Sequence, residues 1–226
     1  SIYVDSDITG VREIEYQICY EQLMRVLPDN FDIIFIDNTM DSIESAPTSL
    51  RANNLKQILS SNETLLYDGN VGKSNKGIGE LDMLIKVFEE YDLGEYDKIC
   101  YLSGRKIITC PYVFEKTNRL SMEALISNPP IYELSSGHQH PVNSNLYNDM
   151  FFSMNRETMV GYVNHTINNL DNMIANNIGS EQNLFQYINE NKISYEWLEH
   201  LGFIRNDWAK INPDFYSRNN ENFQWI

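Results

Sequence analysis

The sequence predicts an α/β domain: a single doubly wound, mostly parallel (mixed) sheet flanked by helices. Three observations predict it. Short β-rich runs alternate with helical patterns, the order that builds largely parallel sheets. Two of those runs, Phe31–Asp37 (FDIIFID) and Lys98–Leu102 (KICYL), are almost continuously apolar, as strands buried on both faces are. The 226 residues, 42% hydrophobic and 12% aromatic, also supply an ample core without an internal repeat or a low-complexity linker.

The elements follow in order. Ile2–Asp5 reads as a strand. Val11–Leu27 then places Tyr16, Cys19, Tyr20, Leu23 and Leu27 on one helical face. After the Phe31–Asp37 strand, a short one is expected at Thr64–Tyr67. Gly79–Tyr91 is helical, with Leu81, Leu84, Ile85 and Phe88 as its buried stripe, and Lys98–Leu102 is the next buried strand. Thr109 is positioned to cap a helix that has Pro111 in its first turn, where a missing N–H costs nothing. Beyond Pro129-Pro130 the character changes. Ile131–Leu134 and Asp149–Met154 read as strands joined by a long polar loop, Ser135–Asn148. Helices are expected at Glu157–Leu170, Ser180–Asn189 and Ser194–Leu201. Trp197, beside Leu198 and near Leu201 in the last of these, reads as core packing and not as a sugar-stacking surface.

Charge narrows the function. Seventeen basic residues stand against 32 acidic ones, a net charge of −15. Such a chain is repelled by nucleic acid and anionic membranes, whose affinities are dominated by phosphate attraction. A phosphate-bearing ligand therefore needs a local cationic patch. No apolar run approaches the ~20 residues of a membrane span; the longest, around Ile33–Ile36, is far shorter. With no signal-peptide pattern, the expected location is cytoplasmic, and an opening Ser1 fits one domain of a longer polypeptide. Cys19, Cys100 and Cys110 lack metal-type spacing and read as reduced thiols. The sequons at Asn62 and Asn164 are what chance produces in so Asn-rich a chain.

Ligands of doubly wound sheets bind beyond the carboxyl ends of the strands. That points to Asp37-Asn38-Thr39, Asp68-Gly69-Asn70, Ser103-Gly104-Arg105 and the chain from Ser135 onward. The segment Gly69–Glu80 (GNVGKSNKGIGE) is close to two phosphate motifs and satisfies neither. A P-loop ending at Gly72-Lys73-Ser74 needs glycine where Tyr67 stands. A dinucleotide fingerprint starting at Gly77 and Gly79 needs glycine where Asp82 stands. What remains is a glycine-bearing loop leading into a helix, whose backbone N–H groups receive an anion beside Lys73 and Lys76. A second cationic element, Ser103-Gly104-Arg105-Lys106, follows the KICYL strand.

In order and spacing these segments resemble a nucleotide-sugar glycosyltransferase of the GT-A fold, over about residues 2–205. FDIIFIDNT ends its strand in Asp37-Asn38. NKGIGELDMLIKVFEEY resembles the loop and helix flanking the donor nucleotide. YDKICYLSGR resembles the strand that delivers the acidic DxD motif. YNDMFFSMNRETM and SEQNLFQYI resemble the later acceptor-half strand and the helix bearing a catalytic carboxylate. The resemblance implies one domain over 1–226, with a nucleotide-sugar-binding half (1–128) and an acceptor-binding half (129–226). It implies a nucleoside-diphosphate sugar such as a UDP-sugar as donor, and a glycan as acceptor.

For the donor, the resemblance implies Asp37 and Asn38 on a pyrimidine edge and Asn75 or Lys76 on base or ribose. Gly77 and Glu80 line the same loop and helix. One departure matters: Ser103-Gly104-Arg105 stands where DxD carboxylates hold a metal on the diphosphate. A divalent metal (Mn²⁺ or Mg²⁺) thus stays open as a cofactor. The expectation is that Arg105, with Lys73 or Lys76, neutralises the diphosphate directly by bidentate hydrogen bonds. Glycosyl transfer also needs a carboxylate to take the proton of the acceptor hydroxyl. Glu181, after Gly179-Ser180 at a helix start, is the first candidate, and Asp149 the second. His138 and His140 in the long loop are candidates for acceptor contact. The alternatives are a sugar-nucleotide nucleotidyltransferase and a non-catalytic nucleotide- or carbohydrate-binding module. The first wants a glycine-rich loop after the first strand, where Asp5–Gly10 supplies a single glycine; the second suits the absent DxD.

Overall fold

The computed structural model describes residues 19, 21–37, 55–59, 76–102, 107–108, 110–127, 148–198 and 203–204. In order they form β1 (Ile33–Asp37), β2 (Leu55–Leu59), α1 (Lys76–Glu90), β3 (Lys98–Leu102), β4 (Ile107–Ile108) and α2 (Tyr112–Arg119). Then come β5 (Ala124–Ser127), β6 (Asn148–Asn155), α3 (Arg156–Asn176), α4 (Ser180–Glu190), β7 (Tyr195–Leu198) and β8 (Phe203–Ile204). A helical segment over 21–26 precedes β1.

The fold is α/β, built on a mixed four-stranded sheet in the order β3-β6-β5-β7. β6 runs antiparallel to both of its neighbours, and β5 runs parallel to β7. β1 and β2 pair in parallel, while β4 and β8 pair antiparallel. Among the described residues parallel pairing is thus limited to β1–β2 and β5–β7. The expected mixed sheet is present, but parallel pairing does not dominate it, because β6 enters from the opposite end and fills the place between β3 and β5.

Alternation along the strands divides the core in two. Ile99, Tyr101, Ala124, Ile126, Phe152 and Met154 face a layer made by α1, α3 and α4. Their neighbours Cys100, Leu102, Leu125, Phe151 and Leu198 face the other way, onto Val113 and Phe114 of α2 and onto Leu23, Val26 and Phe31. β1 joins through a third cluster, in which Ile34 and Ile36 pack with Val87 and Leu93. The Tyr96 hydroxyl donates to Asp32 at 2.6 Å, which ties the start of β1 to the approach of β3.

The helix ends explain the boundaries. Asn155 caps α3, its side chain accepting from the Thr158 N–H at 2.8 Å. Asn177 in the left-handed region (φ 53°) ends the helix, and Ile178 N–H returns to the Met173 carbonyl. α3 therefore runs six residues beyond the expected Leu170. α2 begins after Pro111, and Lys98 Nζ donates to the carbonyls of Thr117 and Asn118 at its far end. Thr109 lies outside the described residues, as do Ile2–Asp5, Thr64–Tyr67, Ile131–Leu134 and most of the helix expected over Val11–Leu27.

One expectation is overturned. Ser194–Leu201 is not a helix: Tyr195–Leu198 is strand β7, in parallel register with β5. Its side chains alternate, Tyr195 toward the three-helix layer and Leu198 toward the α2 layer. In so short a run Trp197, Leu198 and Leu201 also fit a helical stripe, and the open edge of β5 decides for strand. Trp197 is accordingly not core: it is 39% exposed and meets Tyr195 edge-on at 5.0 Å.

Within α3, Gly161 has a packing reason. A Cβ there would overlap the Tyr187 hydroxyl, which donates to the Thr158 carbonyl at 2.8 Å. Gly161→Ala is expected to destabilise the fold by roughly 1–3 kcal/mol, despite alanine's better helix propensity. Denaturant unfolding of Gly161→Ala in a Tyr187→Phe background should show that cost cut by about half or more, because the two side chains share one space.

Candidate functional site

The strand pairings define one edge of the sheet. β3, β5 and β7 point the same way, so Leu102, Ser127 and Leu198 end together, beside the start of β6 at Asn148. The start of β1 is tied to the approach of β3 through Asp32 and Tyr96. Asp37 is the last residue of β1. α1, which leads down to β3, starts at the edge where β3 ends: Glu80 in its second turn accepts a hydrogen bond from Tyr101, next to the end of β3, at 3.3 Å.

α4 also starts at this edge, against α1. A Cβ on Gly77 would stand 2.5 Å from the Ser180 backbone nitrogen and 2.7 Å from its Oγ. Only glycine lets the two helix N-termini approach so closely. The first turn of α1 carries no acidic residue, and no side chain caps α4, whose N-cap is Gly179. Both starts bring the positive end of a helix dipole to one place. Glu181, exposed, is the acid in the first turn of α4.

β6 is irregular at the same edge. Ile126 pairs with Phe152, yet the next residue, Ser127, pairs with Asn148. Asp149 thus falls in the stretch that β5 leaves unmatched, and Ser127 Oγ donates to the Phe151 carbonyl at 3.0 Å to hold the irregularity. Bulges of this kind re-aim strand residues and concentrate beside active sites.

Of the residues predicted for the site, the backbones of Lys76, Gly77, Glu80, Asp149 and Glu181 therefore gather along one edge, while Asp37 ends β1 in the separate β1–β2 pair. Tyr101 was not among them. Its ring stacks on Phe152 at 5.0 Å and its hydroxyl reaches Glu80, a role that an apolar-looking KICYL does not signal. Asn38, Lys73, Asn75, Ser103, Gly104, Arg105, Lys106, His138 and His140 lie outside the described residues. Among the described residues no group of three or more His, Cys, Asp or Glu is arranged to hold a metal ion. No described helix is long and apolar enough to cross a membrane.

Asp82 was seen in the sequence only as the residue that breaks a dinucleotide fingerprint. It is buried in α1, and its pKa is raised to about 6, first by burial and then by Glu89, with Lys86 opposing. A buried carboxyl with a raised pKa is a group whose protonation the fold controls. Compared with known proteins, the chain matches no family model and no curated sequence.

The raised pKa fixes the sign of a stability effect. The folded state holds the Asp82 proton more tightly than the unfolded chain, so stability is lost as pH rises from about 4 toward 6. Asp82→Asn removes that loss. Its unfolding free energy should exceed wild type by on the order of 1–3 kcal/mol at pH 8, with the gap closing below pH ~4.

Proposed function

We propose that the protein is a glycosyltransferase with a GT-A-like arrangement, moving a sugar from a nucleoside-diphosphate sugar to a glycan acceptor. The observation that carries this reading is the meeting of two helix N-termini at Gly77 and Ser180. A diphosphate is the ligand such a place suits, since the chain as a whole, at −15, repels anions. In sequence, Lys73 and Lys76 stand at the approach and start of α1 and Arg105 three residues after β3, and in this reading they add the charge that a metal-holding DxD otherwise secures.

The chemistry follows from these roles. Glu181, on the second helix start, takes the proton of the acceptor hydroxyl as its oxygen attacks the anomeric carbon. The bond from that carbon to the diphosphate breaks, and the leaving group takes up the negative charge. Fixed helix dipoles and cations stabilise that charge without rearranging. Asp37 and Asn38 read the base, and Glu80, oriented by Tyr101, faces the donor side. Asp149, on the irregular start of β6, stands second as base.

Thermal shift against nucleoside diphosphates tests the reading. UDP or GDP is expected to raise the melting temperature selectively, and indifference to every diphosphate would sink it. Turnover of the stabilising sugar nucleotide should fall by roughly 10²–10⁴-fold in Glu181→Gln. Full activity in that variant moves the base to Asp149, and binding without any turnover makes the protein a binding module. Turnover is expected to survive EDTA; loss on EDTA and recovery with Mn²⁺ would remove Arg105 from its role.

A further inference from the structure

A second feature lies away from this edge. α3 starts at the opposite end of the sheet, where Asn155 pairs with Lys98. Between α1 and α3 lies a groove of about 400 Å³, floored by Ile85, Phe88 and Val163. Val160 and Ile167, 40% and 46% exposed, stand along it. They are seven residues apart, two helical turns on one stripe. Buried Val163 and exposed Asn164 lie between them, Arg156 precedes them by one turn, and Asp171 follows by one turn.

This stripe is self-complementary. Turned end for end about a point between Val163 and Asn164, it sets Arg156 opposite Asp171, Val160 opposite Ile167, and Val163 opposite Asn164. The exposed apolar pair Val160 and Ile167 thus meets itself and Arg156 meets Asp171, while buried Val163 and exposed Asn164 flank the axis. Self-matching of one surface about a two-fold axis is what a symmetric dimer requires. A single polar residue at the centre of such a helix pair sets its register.

We propose that α3 pairs antiparallel with α3 of a second copy of this chain, about a two-fold axis between Val163 and Asn164. Val160 and Ile167 of each copy enter the groove of the other, and Arg156 of each meets Asp171 of the second copy. Arg156 is already braced for this, donating to the Gly94 carbonyl at 3.1 Å. The pairing does not depend on the proposed activity, and it leaves the edge with Gly77 and Glu181 open.

Sedimentation of the full chain at micromolar concentration tests it, in ~0.15 M salt to screen the repulsion between two copies. A dimer is expected. Ile167→Asp, at an exposed position, should weaken it by at least ~100-fold with the circular dichroism spectrum unchanged, because it buries an unpaired charge. Arg156→Asp and Asp171→Arg should each weaken it by roughly tenfold, and the double variant should recover most of the loss, since it restores opposite charges. A wild-type monomer at every concentration would overturn the proposal. So would a dimer indifferent to Ile167→Asp, or charge swaps that do not rescue one another.

Discussion

The structure depends on the position of β6. This strand lies between β3 and β5 and supplies a side chain alternately to each core: Phe152 and Met154 to the three-helix layer, Phe151 to the α2 layer. Phe152 is the junction, stacked on Tyr101 and edge-on to Tyr162 of α3. Because β6 runs against its neighbours, its start falls where theirs end, and α3 leaves from the far side and returns along the sheet. That return delivers α4 to the candidate edge. The strand's direction thus sets where Glu181 stands.

The site follows from this as a matter of space. α1 descends from the edge to β3, α3 climbs back to it, and α4 starts where the two meet. The contact between them sets Gly77 against the backbone nitrogen and the small side chain of Ser180, so the two helix starts lie close together. A chain of net charge −15 has few ways to attract an anion. Paired helix N-termini are one of them, because their partial charges belong to the peptide groups and need no basic side chain. Asp82 is buried in the same helix, and burial raises its pKa to about 6.

Much of the fold was legible in the sequence, and the rest was hidden for physical reasons. Lys98–Leu102 and the strands at Ile33–Asp37 and Asn148–Asn155 were visible because long apolar runs between turn residues have few other uses. α1 and α4 were visible from their 3.6-residue stripes. β5 was missed, since Ala124–Ser127 is four residues long and buried on both faces, with no alternation to show. β7 was misread as helix because its assignment depends on the edge of β5, a partner some 70 positions away. For the predicted site, Asp37 was legible as a strand end and Glu181 as lying at a helix start, while Gly77 was read in the loop before a helix expected from Gly79 that begins at Lys76. Tyr101 and Asp82 were not legible, because their roles arise from what folding places beside them.

The central claim is that one close approach of two helix starts makes the anion-binding edge. Gly77→Ala tests it most directly, with wild-type and variant chains compared for nucleoside-diphosphate binding by calorimetry and for stability by denaturant unfolding. The new methyl must push Ser180 away. A loss of roughly tenfold or more in diphosphate affinity is expected, with the chain still folded. Undiminished affinity in a folded Gly77→Ala variant would contradict the account.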